Sequence, residues 1–191
     1  GQTYPVNTTE LHYRPGHIQE LRPEWQIGTG QTWYISNGVL VCESMDAHDP
    51  KHAWVDLDMD SGDYTVQADV RLTNWQNGDL ARSGVAVRIN PDDGERGLNL
   101  LLHEDTNSVD MLNDLVTWGT EGDFPWQVGE WVTLTLSATG NRLEGTAHKK
   151  DQPENATTIE WEDPMLAQRS PGYPGLTGST MTNLITEFDN F

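Results

Sequence analysis

YTVQADVRL, residues Tyr64 to Leu72, and SGVAVRI, residues Ser83 to Ile89, decide how this chain folds. In the first run Tyr64, Val66, Ala68, Val70 and Leu72 alternate with Thr65, Gln67, Asp69 and Arg71, the period of two that marks a strand with one buried face. In the second, Val85, Val87 and Ile89 are expected to point one way and Ala86 and Arg88 the other. The two runs predict a long antiparallel pair joined through the turn-rich TNWQNGDLAR of residues 73–82, with Asp69, Arg71 and Arg88 on its outward face. That face is the expected floor of any ligand groove.

The same texture continues on both sides. WQIGTGQTWYISNGVLVCES, residues 25–44, predicts strands at 25–27, 32–35 and 39–44, and Asn37-Gly38 between apolar runs is a strong hairpin signal. AWVDLDMD, residues 53–60, alternates again, with Val55, Leu57 and Met59 expected inward and Asp56, Asp58 and Asp60 outward. Residues 1–24 lack periodicity and carry Pro5, Pro15 and Pro23, so an irregular arm packing across the domain is expected there.

Downstream, NPDDGERG is a turn, and Leu98 to Glu104 is a strand with Asn99, Leu101 and His103 opposite Leu98, Leu100 and Leu102. Short strands at 109–112 and 115–118 and a loop at 119–129 follow. WVTLTLSATG alternates most cleanly, and Gly140-Asn141 turns it into RLEGTAHKK. One more strand at 157–161, a helical turn at 163–168, a Pro/Gly loop SPGYPGLTG at 170–178 and a terminal strand in NLITEFDNF complete the chain. About a dozen short strands with almost no helix predict an all-β antiparallel β-sandwich or jelly roll, one domain over 1–191.

Composition narrows the function. Thirty acids against 11 basic residues give a formal charge of -19, which repels nucleic acid, acidic membranes and strongly acidic polysaccharides. The charge suits a salty or extracellular setting, so an extracellular or periplasmic location is expected. Apolar residues are only 35% of the total, yet eight are tryptophans, so a few large aromatics supply core volume or line a surface. The single cysteine, Cys42, lies in an apolar run and reads as a small core residue. No window approaches the ~18 apolar residues of a membrane span.

Several residues are candidates for chemistry. Arg71 and Arg88 on one face can pair with acids such as Asp69, or a guanidinium fork can hold vicinal sugar hydroxyls. Trp25, Trp33, Trp131 and Trp161 sit in strand runs and read as core, whereas Trp75, Trp118 and Trp126 lie in or beside polar loops. There an indole either stacks on a pyranose or plugs an end of the sandwich. Asp56, Asp58 and Asp60 alternate like glycosidase carboxylates but lack flanking glutamates, and a charged edge strand explains them better.

For a metal, Asp189 and Asn190, with Glu20 or Glu24 from the arm, offer the hard oxygens calcium needs. Neither an HExxH spacing nor a GxSxG elbow is present. If the chain is an enzyme, His103, Glu104 and Asp110 are the acid/base candidates.

The order of motifs, WYISNGVLVCES, DYTVQADVRL, SGVAVRI, GEWVTLTLSATGNRLEGTA and a closing EFDNF, resembles the concanavalin A-like, laminin-G-type sandwiches of secreted bacterial proteins. It is similar above all to family 66 carbohydrate-binding modules and to the 3-keto-disaccharide hydrolase domain family, over residues 25–191. The resemblance implies a concave sheet that receives sugars, with Arg88 on it, and a calcium ion near the terminal strands, with Asp189 as a ligand. No paired catalytic motif of the enzymatic relatives is present.

These readings together predict a non-catalytic carbohydrate-binding, lectin-like module, stabilised by calcium, for a neutral or weakly charged oligo- or polysaccharide. Its expected contacts are Arg71, Arg88, Asn99 and His103 on the sheet and Trp75, Trp118 and Trp126 at the rim. The module is compatible with attachment to a larger glycan-active protein. Two alternatives stand beside it: a glycoside or 3-keto-glycoside hydrolase on the same fold, and a laminin-G-like adhesion module without a sugar site.

Overall fold

A computed structural model describes residues 24–29, 31–44, 51–57, 60–75, 81–103, 106–178 and 183–191. Fourteen strands are present among them: β1 (Trp25–Ile27), β2 (Thr32–Ser36), β3 (Val39–Glu43), β4 (His52–Val55), β5 (Tyr64–Leu72), β6 (Arg82–Asn90), β7 (Arg96–His103), β8 (Ser108–Asn113), β9 (Thr117–Asp123), β10 (Val132–Thr139), β11 (Arg142–Lys149), β12 (Thr157–Glu162), β13 (Tyr173–Thr177) and β14 (Ile185–Asp189). Short 3-10 turns at Pro91–Asp93 and Leu166–Arg169 are the helical segments among these residues. The strands form two seven-stranded sheets, ordered β1-β4-β13-β6-β7-β8-β9 and β12-β11-β10-β5-β14-β3-β2. The all-β antiparallel sandwich expected from the periodicity is present.

The core lies between the sheets, where alternate residues of both meet. Val85, Val87, Leu98, Leu100, Leu102, Val109 and Met111 from one sheet pack with Val66, Ala68, Val70, Leu134, Leu136, Leu40 and Phe188 from the other. Each is at most 6% exposed, and burying one such side chain is worth about 1.5–3 kcal/mol. Cys42 is buried in this core, as are Trp25 and Trp33, while Trp161 packs against it.

Four expectations are corrected. First, β5 and β6 do not pair: β5 lies between β10 and β14 in one sheet, while β6 lies between β13 and β7 in the other. The two runs expected to pair instead lie in opposite sheets of the sandwich. Second, the strand beginning at His52 ends at Val55, so Asp56 and Asp60 are exposed beyond it, and Asp58 lies outside the described residues.

Third, Leu115 and Val116 form the exposed turn between β8 and β9, and β9 runs on through Asp123, where a loop was expected. Fourth, residues within SPGYPGLTG form β13, an interior strand between β4 and β6. Proline removes a ladder donor, but the β13–β6 register shifts between Tyr173 and Gly175, so Pro174 falls at the irregularity where no donor is required.

The second run of the opening motif also hides a bulge. Arg88 has φ of +55°, and the β6–β7 register shifts between Val87 and Asn90. The extra residue resets the alternation. Arg88 joins Val87 on the interior side, while Ile89 leaves the main core for a small outer cluster with Trp54, Ala86 and Tyr173.

Candidate functional site

The ladder registers of the β6-containing sheet assemble one outward face. Arg82 lies opposite His103 and His103 opposite Ser108, while Leu101 lies opposite Asp110 and Asp110 opposite Glu121. Asn99 lies opposite Leu112 and Leu112 opposite Trp118. The predicted contacts Asn99, His103 and Trp118 therefore share this face. Trp118 is 43% exposed although its strand neighbour Leu112 is buried.

Its indole stacks on the His103 imidazole at 4.4 Å between centroids and 20° between planes, and the Arg82 guanidinium carbon lies 5.6 Å from the indole centroid. His103 Nδ1 is 3.5 Å from Asp110 Oδ2, to which the Ser108 hydroxyl donates at 2.7 Å. The imidazole, the guanidinium and the Asp110 carboxylate are themselves buried and support the half-open indole from below, so the indole and the exposed Glu121 carboxylate are what this part of the face offers to solvent. Sequence reasoning missed Arg82 and Glu121. Aligning RSGVAV against LLLH would have shown the first, but Glu121 stood in a stretch read as loop.

Asn99 is not a surface contact. It is fully buried, its Nδ2 donates at 3.3 Å to the carbonyls of Gly97 and Leu112, and its Oδ1 accepts from the Thr177 hydroxyl and lies 3.0 Å from His52 Nε2. That nitrogen is also 3.3 Å from Asp114 Oδ2, which accepts the Gly97 N–H at 2.9 Å. The amide's hydrogen-bonding capacity is used up in tying β4, β7, β8 and β13 together.

Arg71 and Arg88 do not share a face. Arg71 lies on the outer side of the opposite sheet, where its Nε donates to Glu187 at 2.5 Å and its guanidinium covers Trp131 at 4.5 Å. Arg88 is fully buried: Nε donates to Gly62 O, and NH1 to Gly140 O and Leu166 O, each at 2.8 Å, while NH2 reaches Asp63 at 3.2 Å. Burial pushes its pKa down and Asp63 and Tyr64 oppose this, so the charge persists inside a cage of carbonyls. Arg88 is a structural clamp and offers nothing to a ligand.

The rim tryptophans divide as well. Trp126 is 3% exposed and meets Trp75 edge-on at 4.9 Å, and Trp75 packs on the core. These two plug an end of the sandwich; Trp118 alone of the three is open.

Of the acid/base candidates, Glu104 lies outside the described residues. Asp110 is buried beside His103 and Ser108. The calcium proposal meets a lysine. Asp189 lies opposite Asp69, whose Oδ2 takes the Lys150 ammonium and the Asn190 amide at 2.7 Å each and whose Oδ1 accepts from Thr133; Lys150 also stands 4.0 Å from Asp189. Burial would raise the Asp69 pKa, but Lys150, Thr133 and Asn190 outweigh it and hold the carboxyl below its ordinary value.

An ammonium already neutralises this pair, so the described residues here do not fit a calcium ion, which needs six to eight oxygens and excludes a cation from its shell. Glu24 contributes its carbonyl to Asp56 N at 2.8 Å, and Glu20 lies outside the described residues. Among the described residues no group of three or more His, Cys, Asp or Glu side chains is placed to hold a metal.

No family model and no curated protein matches the chain. Solved structures do. The carbohydrate-binding module CBM66 from Bacillus subtilis superposes with a TM-score of 0.63 at 18% identity, over 87% of this chain and 92% of that one. The winged bean acidic lectin, complexed with methyl-α-D-galactose, gives 0.63 at 10% identity, over 98% and 95%. The GH43 BlXynB protein from Bacillus licheniformis gives 0.63 at 12% identity, over 89% of this chain but only 36% of that protein. At such identities the likeness is one of fold: the two seven-stranded sheets of this chain form a concanavalin A-like β-sandwich, the fold it shares with these structures.

Proposed function

We propose that this chain is a carbohydrate-binding module that takes a neutral saccharide on the β6–β9 face without cleaving it. The observation that carries the reading is Trp118, 43% exposed on a rigid strand and stacked on His103 with Arg82 and Asp110 close by. An indole in this setting covers the C–H side of a sugar ring, and the exposed Glu121 carboxylate on the same face accepts from its hydroxyls. The acidic surface disfavours polyanionic glycans, which points to a neutral chain. The fold shared with a carbohydrate-binding module and with a lectin holding methyl-α-D-galactose supports the same reading. Such a module works outside the cytoplasm, alone or attached to a glycan-active protein.

Calorimetry of the full chain against a panel of neutral oligosaccharides tests it. Trp118→Ala is expected to weaken binding roughly tenfold or more, about 1.4 kcal/mol, while Arg71→Ala leaves it unchanged. Binding to no glycan, or binding indifferent to Trp118→Ala, sinks the reading. One observation favours cleavage instead: Asp110 and Glu121 stand opposite one another across β8 and β9 on this same face. Paired carboxylates about 5–9.5 Å apart are what glycoside hydrolysis uses. Release of reducing sugar from a bound oligosaccharide, lost in Asp110→Asn, would decide for that alternative.

A further inference from the structure

Where β4, β6 and β13 end together, the surface sinks into a depression of about 600 Å³. Its lining includes Asp56, Leu57, Asn90, Asp92, Pro171 and Tyr173. The size falls in the ~300–1,000 Å³ range of small-molecule sites. The carboxylates here differ from those around them. Asp93 pairs with Arg96 and Arg169, and Asp63 with Arg88, whereas the side chains of Asp56, Asp92 and Tyr173 make no hydrogen bond or ion pair among the described residues.

The wall at Gly172 is fixed in advance. The Tyr64 hydroxyl donates to Gly172 O at 2.8 Å and accepts the Arg88 N–H at 2.6 Å, and the Arg88 clamp holds the Gly62, Gly140 and Leu166 segments behind them. Gly172 lies so close that an added Cβ would meet the Arg88 backbone at 2.6 Å. A site whose shape does not have to be ordered on binding wastes little of its interaction energy.

We infer that this depression is a second binding site, separate from Trp118, for a single neutral sugar ring. The lining selects the class. Two uncommitted carboxylates accept hydroxyl protons and repel anions, and the Tyr173 ring with Leu57 and Pro171 gives an apolar wall for a C–H face. A divalent cation would want six to eight oxygens around it and gain nothing from that wall.

The test is a titration of the full chain with methyl glycosides of the common neutral hexoses, followed by saturation-transfer NMR and calorimetry. It compares wild type, Tyr173→Ala, the Asp56→Asn/Asp92→Asn double variant and Trp118→Ala. The expected result is binding of at least one methyl glycoside, weakened about tenfold in the first two variants and unchanged in Trp118→Ala. The double substitution removes charge at exposed positions without changing shape, so it reports even if Tyr173→Ala fails to fold. Failure to bind any methyl glycoside, or binding that survives the double variant, overturns the inference. So does calcium chloride alone shifting the Tyr173 resonances while no glycoside does. Binding lost only in Trp118→Ala would overturn it too, while leaving the sheet-face proposal intact.

Discussion

Asp69 shows how one residue carries a measurable pH dependence. Its carboxyl is held below the ordinary value of 3.8 because Lys150, Thr133 and Asn190 donate to the charged form. The unfolded chain therefore takes up this proton at a higher pH than the folded one. The stabilisation is complete above about pH 4 and is lost as pH falls through the lower folded value. Urea unfolding of wild type and Asp69→Asn is expected to show a gap of about 2 kcal/mol at pH 7 that closes in acid below about pH 4. A gap that stays constant down to pH 2.5 would show that the contacts do not depend on the charge. The same geometry gives the terminal acids a partner that the sequence did not show: Lys150, 81 and 39 positions from Asp69 and Asp189 in the chain, supplies a neutralising charge, and no local motif announces it.

The bulge in β6 is the element on which the sandwich end depends. By putting Arg88 on the same side as Val87, it hands three carbonyls, from segments 26, 52 and 78 residues away, to one guanidinium. Arg88→Met keeps most of the volume and strands those carbonyls and Asp63, so it is expected to cost about 3–5 kcal/mol by chemical denaturation. A loss under 1 kcal/mol would show that the segments close without the clamp. The alternation around Val85 and Val87 was legible in the sequence, but the flip at Arg88 was not, because one inserted residue reverses every inward and outward assignment after it. β13 was hidden for a related reason: the three glycines and two prolines of SPGYPGLTG suppress a strand signal, yet a register shift absorbs Pro174.

Across the whole molecule the charge of -19 acts as a uniform self-repulsion that compaction increases. Screening it stabilises the folded state. Raising sodium chloride from ~10 mM to ~500 mM is expected to raise the thermal midpoint by about 2–4 °C, the equivalent of roughly 1 kcal/mol for a chain of this size. A midpoint that falls with salt would mean that the buried and surface ion pairs outweigh the net charge. No helix among the described residues is long and apolar enough to cross a membrane. At this scale the candidate site is also set, because Trp118, His103, Arg82 and Asp110 come from four strands whose order is a property of the complete sheet.

By itself the sequence determined that the chain is built from short strands, where most of them lie, and which apolar side chains form the core, because a period of two depends only on neighbours along the chain. It also marked Trp118 and His103 as residues to watch. Only the tertiary structure decided that β5 and β6 belong to opposite sheets, that Arg88 and Asn99 are spent on internal bonds, and that Trp75 and Trp126 are plugs while Trp118 is open. Periodicity fixes the face a side chain occupies within its strand, whereas partner strands, bulges and the carbonyls that capture a buried cation are chosen by contacts far apart in the chain.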